Sequence, residues 1–145
     1  LGLTDQEDGE ANTQKMRESG IAANIPILEY CKDGWYLPAR NEMEAVFNAY
    51  NGGPSQSSGL KPDAIKQEEK DARAAWDKIL TDNGGDVMNV KADNTAGDSY
   101  FTSTEADDAS KVFYVRFGQW NPGLTGAKYA KSPARYVRCI RKISK

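Results

Sequence analysis

The sequence predicts an α+β domain in which two to three helices pack on a twisted antiparallel sheet, and three observations carry that prediction. Apolar residues recur at helical spacing as far as Leu80, they alternate every second residue from Tyr100 onward, and no internal repeat divides the chain. At 145 residues the chain fits a single domain, because one core of this size buries roughly two thirds of the unfolded surface. Residues 1–145 are therefore read as one unit.

The elements follow in order. Asn12 or Thr13 is placed to cap a short helix through Arg17, which Ser19-Gly20 interrupts. From Ile21, the positions Ile25, Leu28 and Cys31 predict a helix of about ten residues ending near Lys32, with Pro26 tolerated only in a first turn or at a kink. Asp33-Gly34 closes it. Trp35-Tyr36-Leu37-Pro38 then crosses as an extended apolar link, since the residue before a proline avoids helical backbone. Glu42 opens a helix whose Met43, Val46, Phe47 and Tyr50 form one apolar face, with Asn41, Glu44 and Asn48 toward water. Asn51-Gly52-Gly53-Pro54 and a Ser-rich run make a surface loop. Pro62 starts a third helix that buries Ile65, Ala72, Trp76, Ile79 and Leu80, turns a charged face to solvent, and stops at Asn83-Gly84-Gly85.

Residues 86–98 read as loop with a brief strand at Val87–Val90. Tyr100–Ser103 and Lys111–Phe117 alternate as strands, the second with Phe113, Val115 and Phe117 on one face and Val112, Tyr114 and Arg116 on the other, so both faces are at least half covered. Gly118–Ser132 is a long loop. Ala134–Ile143 is a final strand in which Val137, Cys139, Arg141 and Ile143 alternate with Tyr136, Arg138, Ile140 and Lys142.

Composition narrows the chemistry. Histidine is absent, which removes the commonest general base, metal ligand and nucleophile partner and counts against a hydrolase. Cys31 and Cys139 stand too far apart in sequence for a short chelating pair, leaving a disulfide or two thiols. No stretch approaches the ~18 apolar residues of a membrane span, and Leu1–Asp8 lacks the parts of a secretion signal, so an exported protein would already have shed it. The net charge of -2 hides a split: every acid lies at or before Asp108, and the nine later charges, Lys111, Arg116, Lys128, Lys131, Arg135, Arg138, Arg141, Lys142 and Lys145, are all basic.

That cationic end, with Trp120 and Tyr129 nearby, suits a sulfated or carboxylated sugar, unless its charges pair with the acidic helices. A sequence pI near 5.2 disfavours a dedicated nucleic-acid binder. Gln119–Gly126 is the best loop for a ligand contact because it sets an aromatic platform beside amides. Arg116, Trp120, Asn121, Lys128, Tyr129 and Lys131 are the expected ligand-binding residues. Asp82–Asp86 and Asp93–Asp98 offer oxygen ligands for calcium without EF-hand spacing, and turns favour such residues anyway. No catalytic residue, metal or cofactor is expected.

The order of motifs resembles the bacterial Lcl C-terminal domain family, named for a collagen-like adhesin. Asp8-Gly9-Glu10-Ala11-Asn12-Thr13, a helix ending in Cys31, Gly34-Trp35-Tyr36-Leu37-Pro38, Tyr100-Phe101-Thr102-Ser103-Thr104-Glu105, the strand around Phe113 and Tyr136-Val137-Arg138-Cys139-Ile140-Arg141 carry it, from residue 2 to residue 143. The resemblance implies a C-type-lectin-like fold, a disulfide tying Cys31 to Cys139, and a binding surface made of loops near the middle strands. It also implies a structural Ser-Thr-Glu string, with Glu105 bonding backbone or Arg138.

The chain departs from the pattern in three places. Ala39 stands where relatives cap a helix with Ser or Thr, forgoing roughly 1 kcal/mol unless another group supplies the bond. The strand before Gly2-Leu3-Thr4-Asp5 is missing, either cut away or supplied by a partner chain, which would leave the last strand an open edge. The span Gly59–Ala96 is longer than the plainest members need. Trp120-Asn121 is followed by Pro122, and the tripeptides that hold calcium-bound sugar in C-type lectins are missing. The expectation is an extracellular or cell-surface adhesion module recognising an anionic glycan or a protein, with no catalysis. The alternative is an assembly or tip subunit of a pilus or phage fibre. An enzyme like the formylglycine-generating oxidases, which share the fold the resemblance implies, would need reactive cysteines, and the implied tie would engage the two that this chain has.

Overall fold

The structure is a computed structural model; it describes residues 1–53, 67–88, 99–106, 111–116, 121–125 and 136–143, with backbone alone at 99, 116 and 121–125. It is mixed helix and sheet, as the sequence predicts, with three α-helices and a three-stranded antiparallel sheet among the described residues.

Helix α1 spans Gly9–Glu18 and starts earlier than expected, because Asp8 rather than Asn12 or Thr13 caps it: the Asp8 carboxylate accepts from the Ala11 N–H at 2.9 Å. Asn12 and Thr13 turn inward instead. The Asn12 amide donates to the Asp5 carbonyl and to Ser103 Oγ, and the Thr13 hydroxyl accepts from the Leu37 N–H at 3.0 Å. The helix expected between Ile21 and Lys32 is replaced by two 3₁₀ turns, Ala22–Asn24 and Pro26–Glu29. Pro26 has no N–H to donate back along an α-ladder, so it can only open a new, tighter turn. These turns still deliver Ile25, Ile27 and Cys31 to the interior.

Asp33 and Gly34 both take positive φ, 57° and 86°, and the Trp35 N–H closes the reversal on the Lys32 carbonyl. Helix α2, Arg40–Tyr50, buries Met43, Phe47 and Tyr50 as its periodicity predicts. Ala39 offers no side-chain cap, and the first turn draws on distant groups: Arg40 N–H donates to Thr104 Oγ1 at 3.0 Å and Asn41 N–H to the Gln6 carbonyl at 2.9 Å. Glu42 reaches back to accept from the N–H groups of Ala39 and Gly9 at 2.8 and 2.9 Å, fastening α1 to α2.

Helix α3 spans Gln67–Asp82; the predicted start at Pro62, with Ile65, lies outside the described residues. The predicted apolar stripe is not buried, since Trp76 is 40% and Ile79 54% exposed. Arg73 donates to Asn51 Oδ1, Asp77 accepts from the Tyr50 hydroxyl and from the Met88 N–H, and Leu80 packs on the α2 cluster. Hydrogen bonds to the end of α2 therefore set the rotation of α3 about its axis, and the apolar stripe loses. The stop is as predicted: Gly84, with φ 76°, places its N–H on Thr81 O and the Gly85 N–H on Leu80 O, a Schellman pattern.

Strands β1 (Ser99–Glu105), β2 (Val112–Arg116) and β3 (Asn121–Thr125) lie in that order, antiparallel throughout. β3 falls where a loop is expected. Asn121-Pro122-Gly123 reads locally as a turn, but β2 offers a partner and an edge strand tolerates proline. β1 carries a bulge between the pairs Phe101–Tyr114 and Glu105–Val112, which frees Thr102-Ser103-Thr104 for other partners.

All three of those residues, with Glu105, are buried and form a polar hub. Thr102 donates to the Phe113 carbonyl, Ser103 N–H to the Pro38 carbonyl, and Thr104 Oγ1 to the Asp5 carbonyl at 2.8 Å. The Glu105 carboxylate accepts from the Gly2 and Leu3 N–H groups at 3.0 and 3.2 Å, and its own N–H donates to the Leu3 carbonyl. Glu105 thus bonds backbone, one of the two expected partners; Arg138 bonds elsewhere.

Alternate residues of β1 and β2 feed two cores. Phe101 and Val112 meet Leu3, Met16, Ile27 and Leu37, whereas Tyr100 and Val115 meet Met43, Phe47, Tyr50 and Met88. Both faces of the sheet are covered. The final segment, expected as a strand from Ala134 to Ile143, shows only two isolated bridges over 136–143: Tyr136 beside Tyr100, parallel, and Ile140 beside Tyr36, antiparallel. It changes partner within a few residues, so no ladder can run its length. Between the bridges Cys139 is joined to Cys31, with Cα atoms 5.4 Å apart.

Candidate functional site

The alternation expected of the last segment survives without a strand. Val137 and Cys139 pack on the first core, and Tyr136 and Arg138 turn the other way, toward Asp86–Met88, which leaves the end of α3. Between the two segments opens a cleft of about 580 Å³ lined by Asp86, Val87, Met88, Tyr100, Tyr136, Val137 and Arg138. Its size falls in the usual range for small-ligand pockets. Tyr100 forms the floor, and the Tyr136 ring lies against it at 5.5 Å between centroids. Arg138 spans the cleft and donates from one terminal nitrogen to the Asp86 and Val87 carbonyls at 3.1 and 3.2 Å.

Of the ligand-binding residues expected from sequence, Trp120, Lys128, Tyr129 and Lys131 lie outside the described residues, as does the calcium candidate Asp93–Asp98. Arg116 and Asn121 are brought together as the paired ends of β2 and β3. Among the described residues no group of three or more His, Cys, Asp or Glu could hold a metal ion. Asp82, in the other calcium candidate, pairs with Lys78.

The described late cations do not share one use. Lys142 pairs with Glu10 at 2.6 Å and sits over the Tyr36 ring; the Glu10 hydrogen bond raises its pKa. Arg141 stacks on the half-exposed Trp35 ring at 4.9 Å, next to the Tyr36–Ile140 bridge. Arg138 alone of these enters the cleft. Two further groups have shifted acidities: burial, then Asp77, pushes the Tyr50 phenol up, and burial, then Glu42, raises Tyr36.

The cleft residues Tyr100, Tyr136 and Met88 are not among those expected from sequence. The usable signal is the Tyr136-Val137-Arg138-Cys139 alternation: once Cys139 faces the disulfide, Tyr136 and Arg138 must face away from it together. No family model, no curated protein and no solved structure matches the chain.

Proposed function

We propose that this chain is a binding module without catalysis, extracellular or at a cell surface, of C-type-lectin-like architecture and recognising a glycan or a protein partner. The observation that carries the reading is the open cleft between Asp86–Met88 and Tyr136–Arg138, where aromatic rings, aliphatic side chains and one guanidinium converge on a wall tied down by the disulfide. Two residue-level facts support it: the sequence has no histidine, and both cysteines are engaged with each other rather than free as nucleophiles. The lectin-like architecture is supported by a disulfide joining an early segment to the closing one, the arrangement implied by the family resemblance. A glycan array with a heparin column, run beside a peptide library, tests the module; silence in all three would overturn it.

A second reading, an assembly or tip subunit completed by a strand from another chain, is favoured by the position of β3 at the edge of the sheet among the described residues. It expects an oligomer on size-exclusion chromatography. A stable monomer contradicts it.

A further inference from the structure

Arg138 differs from the other described cations at its end of the chain. Lys142 has Glu10 and Arg141 has the Trp35 ring, whereas Arg138 has no carboxylate within ion-pair distance among the described residues. Its bonds among those residues go to two main-chain carbonyls, which fix the guanidinium plane without neutralising its charge, and its Nε–H is buried with no acceptor. A fixed, half-buried guanidinium is preorganised for an oxyanion, because little side-chain entropy remains to be lost when the anion arrives.

The surroundings narrow the body that carries the anion. Sugar sites set several amides or carboxylates around an aromatic face; among the described residues the walls beside the cation are Val87, Met88, Val137 and the Tyr136 ring, with Asp86 the one acidic side chain. Val87 and Tyr136 are both more than a third exposed at the rim, open to an incoming apolar group. We infer that the cleft takes a peptide segment presenting a carboxylate next to an apolar side chain, the carboxylate on Arg138 and the side chain between Val87 and Tyr136. This rests on the binding-module reading and selects its protein form. The carboxylate comes either from a chain terminus or from an Asp or Glu side chain.

The test uses the intact oxidised chain and short labelled peptides read by fluorescence polarisation. One pair ends in Phe as free acid or as amide; the other holds an internal Phe-Glu or Phe-Gln; a uronic-acid oligosaccharide is the glycan arm. The acid member of at least one pair is expected to bind about tenfold or more tighter than its neutral twin, as a charge-assisted bond lost from a half-buried site requires. The pair that shows it identifies the source. Arg138→Gln should erase the preference, and Val87→Glu, at an exposed rim position that leaves Arg138 and its carbonyl bonds alone, should reduce it by repulsion. Equal binding within both pairs overturns the inference, as does a preference that survives both variants. Binding of the oligosaccharide alone, dependent on Arg138, also overturns it while leaving the binding-module reading intact.

Discussion

Gly9 packs so tightly that a β-carbon there would stand 2.4 Å from the Leu37 carbonyl oxygen and 2.5 Å from the Ala39 nitrogen, both backbone atoms that cannot swing aside. Gly9→Ala should therefore cost about 1–3 kcal/mol, as overpacking does, measured by urea unfolding. Glu105 is nearly fully buried, with its carboxylate on two backbone N–H groups. Both N–H groups donate to one oxygen, Oε2, and the other, Oε1, accepts from the Leu1 amine at 3.3 Å, so Glu105→Gln sets an N–H donor against that amine, removes the charge that assists these bonds, and should lose about 1–3 kcal/mol. An unchanged unfolding midpoint would show that the hub does not hold the first residues. Tyr50 and Tyr36 give the pH dependence. Both phenols are neutral in the fold and their pKa values are raised above the ordinary 10.0. Their contribution is thus complete below pH 10.0 and is lost as pH rises through the raised values. Tyr50→Phe should make the alkaline decline in stability shallower, and superimposable alkaline curves for the two proteins would contradict the assignment.

At the scale of elements, the first turn of α2 is the instructive case. A sequence rule asks for a serine or threonine just before Arg40, yet Ala39 is fully buried and the Arg40 and Asn41 N–H groups already have acceptors in Thr104 and Gln6. Ala39→Ser should thus fail to deliver the roughly 1 kcal/mol of an ordinary cap, while Thr104→Val, which removes the substitute, should lose about that much. The converse result in urea unfolding, a gain from Ala39→Ser and no loss from Thr104→Val, would mean that the cap is local after all. The same contrast explains what is legible in the sequence. α2, the end of α3 at Gly84 and strands β1 and β2 are readable because periodicity, capping glycine and alternation are local signals that burial reinforces. The Ile21–Lys32 helix, β3, the rotation of α3 and the closing strand are not, and the reasons differ. Pro26 breaks the helical ladder, β2, a near neighbour in the chain, recruits Asn121–Thr125 against their local turn signal, the end of α2 holds Asp77, and the disulfide holds Cys139; the last two are partners distant in sequence. One wall of the cleft is legible in the alternation of Tyr136 and Arg138 against Val137 and Cys139, but the approach of Asp86–Met88 to it has no signature in either segment.

Across the whole molecule, two devices hold segments that share little regular hydrogen bonding. The Thr102–Glu105 hub gathers the first residues, α1, the Leu37–Pro38 link and α2, and the disulfide fixes the final segment, whose described backbone makes only two isolated bridges. Closing a loop of 108 residues should stabilise the chain by about 4–5 kcal/mol on the chain-entropy model. Cys139→Ala with Cys31→Ala should lose an amount of that order and release Tyr136 and Arg138 from the cleft, seen as faster hydrogen exchange at Phe101 N–H, which donates to the Tyr136 carbonyl. The architecture, the cleft wall and the binding reading all depend on that covalent tie. Its most direct test is peptide mapping of the unreduced protein by mass spectrometry: a single species joining the Cys31 and Cys139 peptides is predicted, and recovery of both peptides as free thiols would contradict the account.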